Sequence, residues 1–106
     1  MATIEDFKKL EIKIGRVVSA ERIEGSDKLL KLMIDLGGET RQILAGIAQF
    51  YEPEALIGKE MPVIVNLEPR MLRGYESQGM ILCADAEGRP VILEPEIEVP
   101  SGSIVK

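Results

Sequence analysis

From Leu30 to Leu36 the chain alternates without a break. Leu30, Leu32, Ile34 and Leu36 fall on one side, and Lys31, Met33 and Asp35 on the other. A period of two belongs to a β-strand with one buried face, because successive side chains point to opposite sides of the sheet. Gly37-Gly38 follows at once and leads into Glu39 to Ala45, where Thr40, Gln42 and Leu44 stand opposite Arg41, Ile43 and Ala45. Two glycines between such runs predict a tight antiparallel hairpin. A hairpin with one apolar face has to be covered, so the remaining segments must close round it.

Those segments are also strand-like. Between Glu11 and Glu24, Ile12 and Ile14 share a face and the pattern resumes at Val17 or Val18 after Gly15. A change of phase at a glycine predicts a bulge in a long, bent strand, the kind of bend a small barrel needs to close. Before it, Thr3 as N-cap with Asp6 three residues on predicts a short helix from Thr3 to Lys9, with Phe7 and Leu10 as inward anchors. Glu24-Gly-Ser-Asp-Lys28 is a turn. Gly46 to Gly58 reads as irregular structure with one helical turn, and Met61–Val65, Met80–Cys83 and Val91–Leu93 are short apolar runs bounded by turn formers. From Glu94 onward Pro95, Pro100 and Gly102 break any regular element.

Strand, strand, strand, short helical excursion, strand, strand is the order of an OB-fold. The expected fold class is therefore all-β: an OB-fold barrel of about five strands with a short N-terminal helix and an irregular C-terminal extension. At 106 residues the chain reads as one domain, residues 1–106, large enough for a core without staples. Oligonucleotide-binding barrels of this type use the face of strands 2–3 and the loops joining strands 1–2 and 4–5. Here those loops are Glu24 to Lys28 and Leu67 to Glu76.

The composition narrows the chemistry. There is no histidine, hence no imidazole base and no histidine metal ligand. The single Cys83 lies in an apolar strand pattern and reads as a small core residue; with no histidine beside it, a zinc site is close to excluded. Glu94, Glu96 and Glu98, alternating between Pro95 and Pro100, read as a solvated edge rather than a catalytic cluster. Catalysis is improbable on these grounds, and no metal or cofactor is expected. No apolar run approaches the roughly 20 residues needed to cross a bilayer, and the N-terminus lacks the plan of a signal peptide, so the chain reads as cytoplasmic. The net charge of −5 argues against nonspecific binding to nucleic acid. It is unevenly spread: Asp85, Glu87, Glu94, Glu96 and Glu98 face only Arg89 and Lys106 in the last stretch, so residues 85–106 carry −3 of it.

The stretch from Asn66 to Ala84, NLEPRMLRGYESQGMILCA, carries the functional signal. It joins two strands through ten residues that hold Arg70 and Arg73 at a spacing of three, with polar Ser77 and Gln78 and the side-chain-free Gly79 at its exit. A guanidinium donates two parallel hydrogen bonds to two oxygens, the geometry of a phosphate. Lys28 and Arg41 extend the positive track as simpler charges. Asn66, Ser77 and Gln78 offer donors and acceptors to 2′-hydroxyls or base edges. Plain readings stand beside these: solvated loop charges for the arginines, turn-capping bonds for Asn66 and Ser77, a core position for Met80. For Tyr75 the choice is between a stacking platform and an ordinary exposed tyrosine.

Several motifs resemble one family. Thr3-Ile-Glu-Asp-Phe7 followed by Glu11-Ile-Lys-Ile-Gly-Arg-Val17 is similar to the opening of the tRNA-binding domain appended to methionyl-tRNA synthetases. The same domain occurs in freestanding structure-specific tRNA-binding proteins, in the CsaA export-related proteins and in endothelial monocyte-activating polypeptide II. Ser26-Asp-Lys-Leu29, Ala45-Gly46 to Tyr51, Pro53-Glu-Ala-Leu-Ile-Gly-Lys59 and Asn66-Leu-Glu-Pro-Arg-Met-Leu-Arg-Gly74 with Ser77-Gln-Gly-Met-Ile-Leu82 continue the match along nearly the whole chain. Ile23-Glu-Gly stands where the family usually has His-Pro-Asn, so an acidic Glu24 replaces a neutral residue near the proposed site.

The resemblance implies an OB-fold, tRNA binding without catalysis, and homodimers. Carried over by position, it places the RNA contacts on Lys28, Arg41, Asn66, Arg70, Arg73, Ser77, Gln78 and Met80. The partners it implies are tRNA, a second copy of the chain and an aminoacyl-tRNA synthetase. Beginning at Met1 suits both a freestanding chain and a domain belonging to a longer one. A CsaA-like peptide-binding chaperone dimer is the alternative reading.

Overall fold

The computed structural model describes residues 1–106. Its strands are β1 (Ile12–Arg22), β2 (Leu30–Asp35), β3 (Thr40–Ala45), β4 (Glu60–Ile64), β5 (Arg70–Leu72), β6 (Tyr75–Ser77), β7 (Met80–Ile81), β8 (Cys83–Ala86) and β9 (Arg89–Ile92). Five of them form one antiparallel sheet in the order β3-β2-β1-β4-β7. The sheet curls into a nearly closed OB-like barrel. Between its two ends, the Gln78 amide N–H donates to the Gln42 carbonyl at 2.8 Å, and the Arg41 guanidinium donates to the Val65 and Gln78 carbonyls.

The alternation at residues 30–36 does what its period predicts. Leu30, Leu32 and Ile34 are fully buried and meet Val17, Ile43, Met61, Val63 and Ile81 in the barrel core. Burying each such side chain contributes roughly 1.5–3 kcal/mol. Arg41 follows from the same register: it pairs with Ile34 across the ladder, on the inward face with Ile43 and Ala45. Its long stem therefore starts inside and its charged head emerges at the barrel's rim.

The bulge in β1 is not at Gly15. The register slips between Val17 and Ser19, so Val18 is the extra residue and stands exposed. Gly15 has a different reason: a Cβ there would collide with Ile34 Cγ2 and come within 2.9 Å of Leu36 Cδ2. The Ile34 and Leu36 side chains, at the end of the neighbouring strand, fill the space over Gly15, which a one-dimensional pattern cannot show.

A short helix, α1 (Ile4–Lys8), precedes β1, and a single helical turn, α2 (Pro53–Leu56), drops Leu56 into the core. The α1 cap is the expected box: Thr3 Oγ1 accepts the Asp6 N–H and Asp6 Oδ2 accepts the Thr3 N–H. The Thr3 N–H holds the Asp6 carboxyl below the usual carboxylate range. The expected inward anchoring is not observed: no residue of α1 is buried, and Phe7 and Leu10 keep 39% and 41% of their surface. The helix is tied down by its end instead. Asn66 Oδ1 accepts the Glu11 N–H at 2.7 Å and Asn66 Nδ2 donates to the Lys9 carbonyl at 2.8 Å.

The C-terminal extension is irregular, as its prolines require, but it is docked. Beside the first residues of β1 it takes the edge that β2 leaves free: Ile14 N–H donates to the Ser103 carbonyl, Val105 N–H donates to the Ile12 carbonyl, and Lys13 pairs with Ile104. The buried Glu60 receives the Val99 N–H at 3.0 Å, and Arg16 reaches both Glu60 and Glu98 at 3.5 Å. No helix is long and apolar enough to cross a membrane.

Candidate nucleic-acid interface

The stretch after β4 is not an irregular loop. β5 and β6 pair as a hairpin from Arg70↔Ser77 to Leu72↔Tyr75, with Arg73 and Gly74 as the two-residue turn. Both turn residues have positive φ, 52° and 84°. That is the signature of the mirror-image turns whose twist matches paired strands. Arginine is an unusual first residue there, since side chains other than those of Asn, Asp and Gly strain in the left-handed region. The sequence signal was Arg73-Gly74 itself, masked because asparagine or aspartate ordinarily precedes the glycine.

The hairpin is fastened to β3 by side chains. Ser77 Oγ accepts the Leu44 N–H at 3.0 Å and donates to the Gly79 carbonyl; Gln78 Oε1 accepts the Gln42 N–H; Gln42 Nε2 donates to the Glu76 carbonyl. Ser77 is buried by this role. Leu44 was the clue available in sequence. It is apolar on the face it shares with Thr40 and Gln42, and it is buried because the hairpin covers it.

The residues singled out from sequence therefore divide. Asn66, Ser77, Gln78 and Arg41 are engaged in bonds that shape the barrel and its cover; Arg41 is also ion-paired with Glu39. Lys28, Arg70, Arg73 and Met80 remain exposed, and Met80 looks outward rather than into the core. Tyr75 is 37% exposed with Lys31 Nζ 4.8 Å above its ring. Lys31 is itself held by Glu21, whose hydrogen bond raises the ammonium's pKa.

Electrostatics sharpen the division. Eight of the thirteen lysines and arginines have a carboxylate within 4.0 Å. Among the rest, Arg89 lies over the Phe50 ring and Lys106 is the last residue. The other three are Lys28, Arg70 and Arg73. Lys28 and Arg73 line one cleft, with Ser26, Asp27 and Gly46, where the turn after β1 faces the hairpin tip. Arg70 lines the neighbouring hollow with Leu72 and Met80. On a protein of charge −5, three of the five cations without a carboxylate partner thus collect round one hairpin and the loop facing it. Exposed guanidinium groups without carboxylate partners are free to bond phosphate. Cys83 adds no nucleophile, because burial pushes its thiol pKa up and keeps it protonated at neutral pH.

Comparison with known proteins supplies the family. Residues 12–104 match the tRNA-binding domain family. The chain belongs to that family. This tRNA-binding domain is 53% identical over 98 residues to the methionine–tRNA ligase of Methanothrix thermoacetophila, covering 92% of the chain but 14% of the ligase. What it shares with such ligases is a noncatalytic module that makes up a small part of their length. Among solved structures it superposes on a MetRS related protein from Pyrococcus horikoshii with a TM-score of 0.95 at 40% identity, covering 100% of this chain and 98% of that one. The chaperone CsaA from Bacillus anthracis matches with a TM-score of 0.90 at 34% identity, covering 100% and 99%. The domain thus occurs both within methionyl-tRNA synthetases and in freestanding proteins of the CsaA kind.

Proposed function

We propose that this domain is a structure-specific tRNA-binding module, acting without catalysis in the cytoplasm, either freestanding or as part of a methionyl-tRNA synthetase. It grips the RNA backbone with Arg70 and Arg73 of the hairpin and Lys28 of the facing loop. One observation carries this reading: three of the five cations without a carboxylate partner, Lys28, Arg70 and Arg73, gather at that hairpin and its facing loop on an acidic protein. Arg41, Ser77 and Gln78 contribute by holding the hairpin and barrel rim in place and Asn66 by tying down the end of α1, with Arg41 and Gln78 still partly accessible to 2′-hydroxyls. Met80 offers an apolar contact.

Arg73 supplies the test. Its left-handed backbone costs stability that asparagine would recover, so Arg73→Asn is expected to stabilise the fold by about 0.5–1 kcal/mol. The same change removes a phosphate contact and lowers tRNA affinity about tenfold. Glu87, with φ 54° before Gly88 in the β8–β9 hairpin, is the control. Glu87→Asn should stabilise similarly and leave affinity unchanged. Equal tRNA binding by wild type and Arg73→Asn in a filter assay would remove the hairpin tip from the interface.

The domain is proposed to work as a homodimer. Ile4 and Phe7 of α1, Leu10 just after it, and Ile97 and Ile104 of the C-terminal extension are left exposed, Ile97 and Ile104 by 72% and 70%. α1 precedes the start of β1 and Ile104 lies beside it, so these residues offer a surface a second copy can cover through the same contacts reversed. Two linked barrels make the second RNA contact intramolecular, which raises avidity by roughly two to four orders of magnitude. Light scattering should give twice the chain mass, and Phe7→Glu should return the mass of one chain with weakened tRNA binding. A monomeric wild type that binds tRNA tightly contradicts the dimer.

A further inference from the structure

The hollow beneath the hairpin holds two opposite charges that do not meet. It lies between β3, β7 and the hairpin, and encloses about 430 Å³. Its walls include Leu44, Leu67, Leu72 and Met80, and Glu68 and Arg70 also line it. Ser77 lines it too, but its hydroxyl is already committed to Leu44 and Gly79. Glu68 has no lysine or arginine within 4.0 Å, and Arg70 has no carboxylate, although both face the same space. An acidic side chain is out of place beside a surface that binds only phosphates, since it repels the RNA.

We infer that this hollow takes one unpaired nucleotide of the RNA, its base between the apolar walls, its edge read by Glu68 and its phosphate held by Arg70. The inference rests on the tRNA-binding reading above and specifies what the hairpin does within it. A base has two apolar faces and a polar rim, which suits apolar walls with few hydrogen-bonding groups. A carboxylate only accepts hydrogen bonds, so it selects a base edge made of donors. Guanine presents two adjacent donors, the N1 imino and the 2-amino group, and satisfies both carboxylate oxygens. Uracil presents one donor between two carbonyls, which the carboxylate repels. Unpaired bases are the ones whose pairing edges are open to such reading. Guanine is therefore the preferred occupant, and its 5′-phosphate completes the charge balance at Arg70.

Glu68→Gln separates this from simple phosphate binding by the sign of its effect. Removing a negative charge from a phosphate-binding surface lowers repulsion and tightens binding, most at low salt. Removing the acceptor pair that reads a guanine weakens binding, by about tenfold. The expected result is weaker binding of folded tRNA by Glu68→Gln. Guanosine 5′-monophosphate should also shift the Met80 methyl resonance of the wild type, uridine 5′-monophosphate should not, and Glu68→Gln should abolish the guanosine effect. Tighter or unchanged tRNA binding by Glu68→Gln, while Arg70→Ala weakens it, overturns the base pocket and leaves the phosphate grip standing. If Arg70→Ala also binds normally, the hairpin is not the RNA site and both readings fall.

Discussion

A variant carrying Arg70→Ala and Arg73→Ala together is expected to bind folded tRNA roughly 100-fold more weakly at physiological salt. A hydrogen bond to a charged partner contributes about 1.5–3 kcal/mol, and 1.4 kcal/mol is a factor of ten, so two lost phosphate contacts reach that range. The salt dependence identifies the cause. Each phosphate contact adds roughly 0.7–0.9 to the slope of log affinity against log salt, through released counterions. The double variant should therefore lose about two contacts' worth of slope, and its curve should converge with that of the wild type as salt rises. Lys8→Ala with Lys106→Ala removes the same formal charge from elsewhere and should leave the slope near its original value. Neither arginine makes an ion pair in the fold, so thermal stability should hardly change.

The largest expected effect on stability is at Gly15. Its φ is not in the left-handed region, so a side chain there costs nothing in backbone strain; the entire penalty is steric. A Cβ would strike Ile34 and crowd Leu36, both fully or nearly buried in the core. Overpacking of this kind costs about 1–3 kcal/mol, so Gly15→Ala should lower the melting temperature by roughly 4–8 °C for each kcal/mol lost. Gly15→Val should lower it further. Ile34→Ala alone should cost about 2–5 kcal/mol by opening a cavity. In the double variant Gly15→Ala, Ile34→Ala, the new methyl enters the space left by Cγ2, and the total should fall below the sum of the two single effects. Strict additivity in denaturant melts would mean that Gly15 and Ile34 do not meet.

Much of the barrel was legible because its strands state their period. Leu30 to Leu36 and Thr40 to Ala45 could be assigned to faces residue by residue, and Gly37-Gly38 fixed the register between them. The departures have physical causes. Gly15 looked like a bulge because a glycine out of phase and a glycine beneath a neighbouring strand's side chains leave the same mark in one dimension. Phe7 and Leu10 looked inward because an amphipathic helix normally covers its own barrel; here Asn66 and the capping box hold α1 while its apolar side stays open. At the proposed site, Arg70 and Arg73 were visible from composition and spacing. The engagement of Arg41, Asn66, Ser77 and Gln78 with the backbone was not, since it depends on partners about 24 to 57 residues away. Glu68 was unremarkable in sequence and gains meaning only from sharing a hollow with Arg70.

The central claim is that this acidic barrel recognises the folded shape of tRNA through one cationic hairpin. Gel-shift titration of the protein with native tRNA and with the same tRNA kept unfolded after heating tests it most directly, with an unfolded polypeptide as competitor. The account predicts tight binding to native tRNA, at least tenfold weaker binding to the unfolded RNA, and no displacement by the polypeptide. Equal affinity for both RNAs, or displacement of native tRNA by the polypeptide, would contradict it.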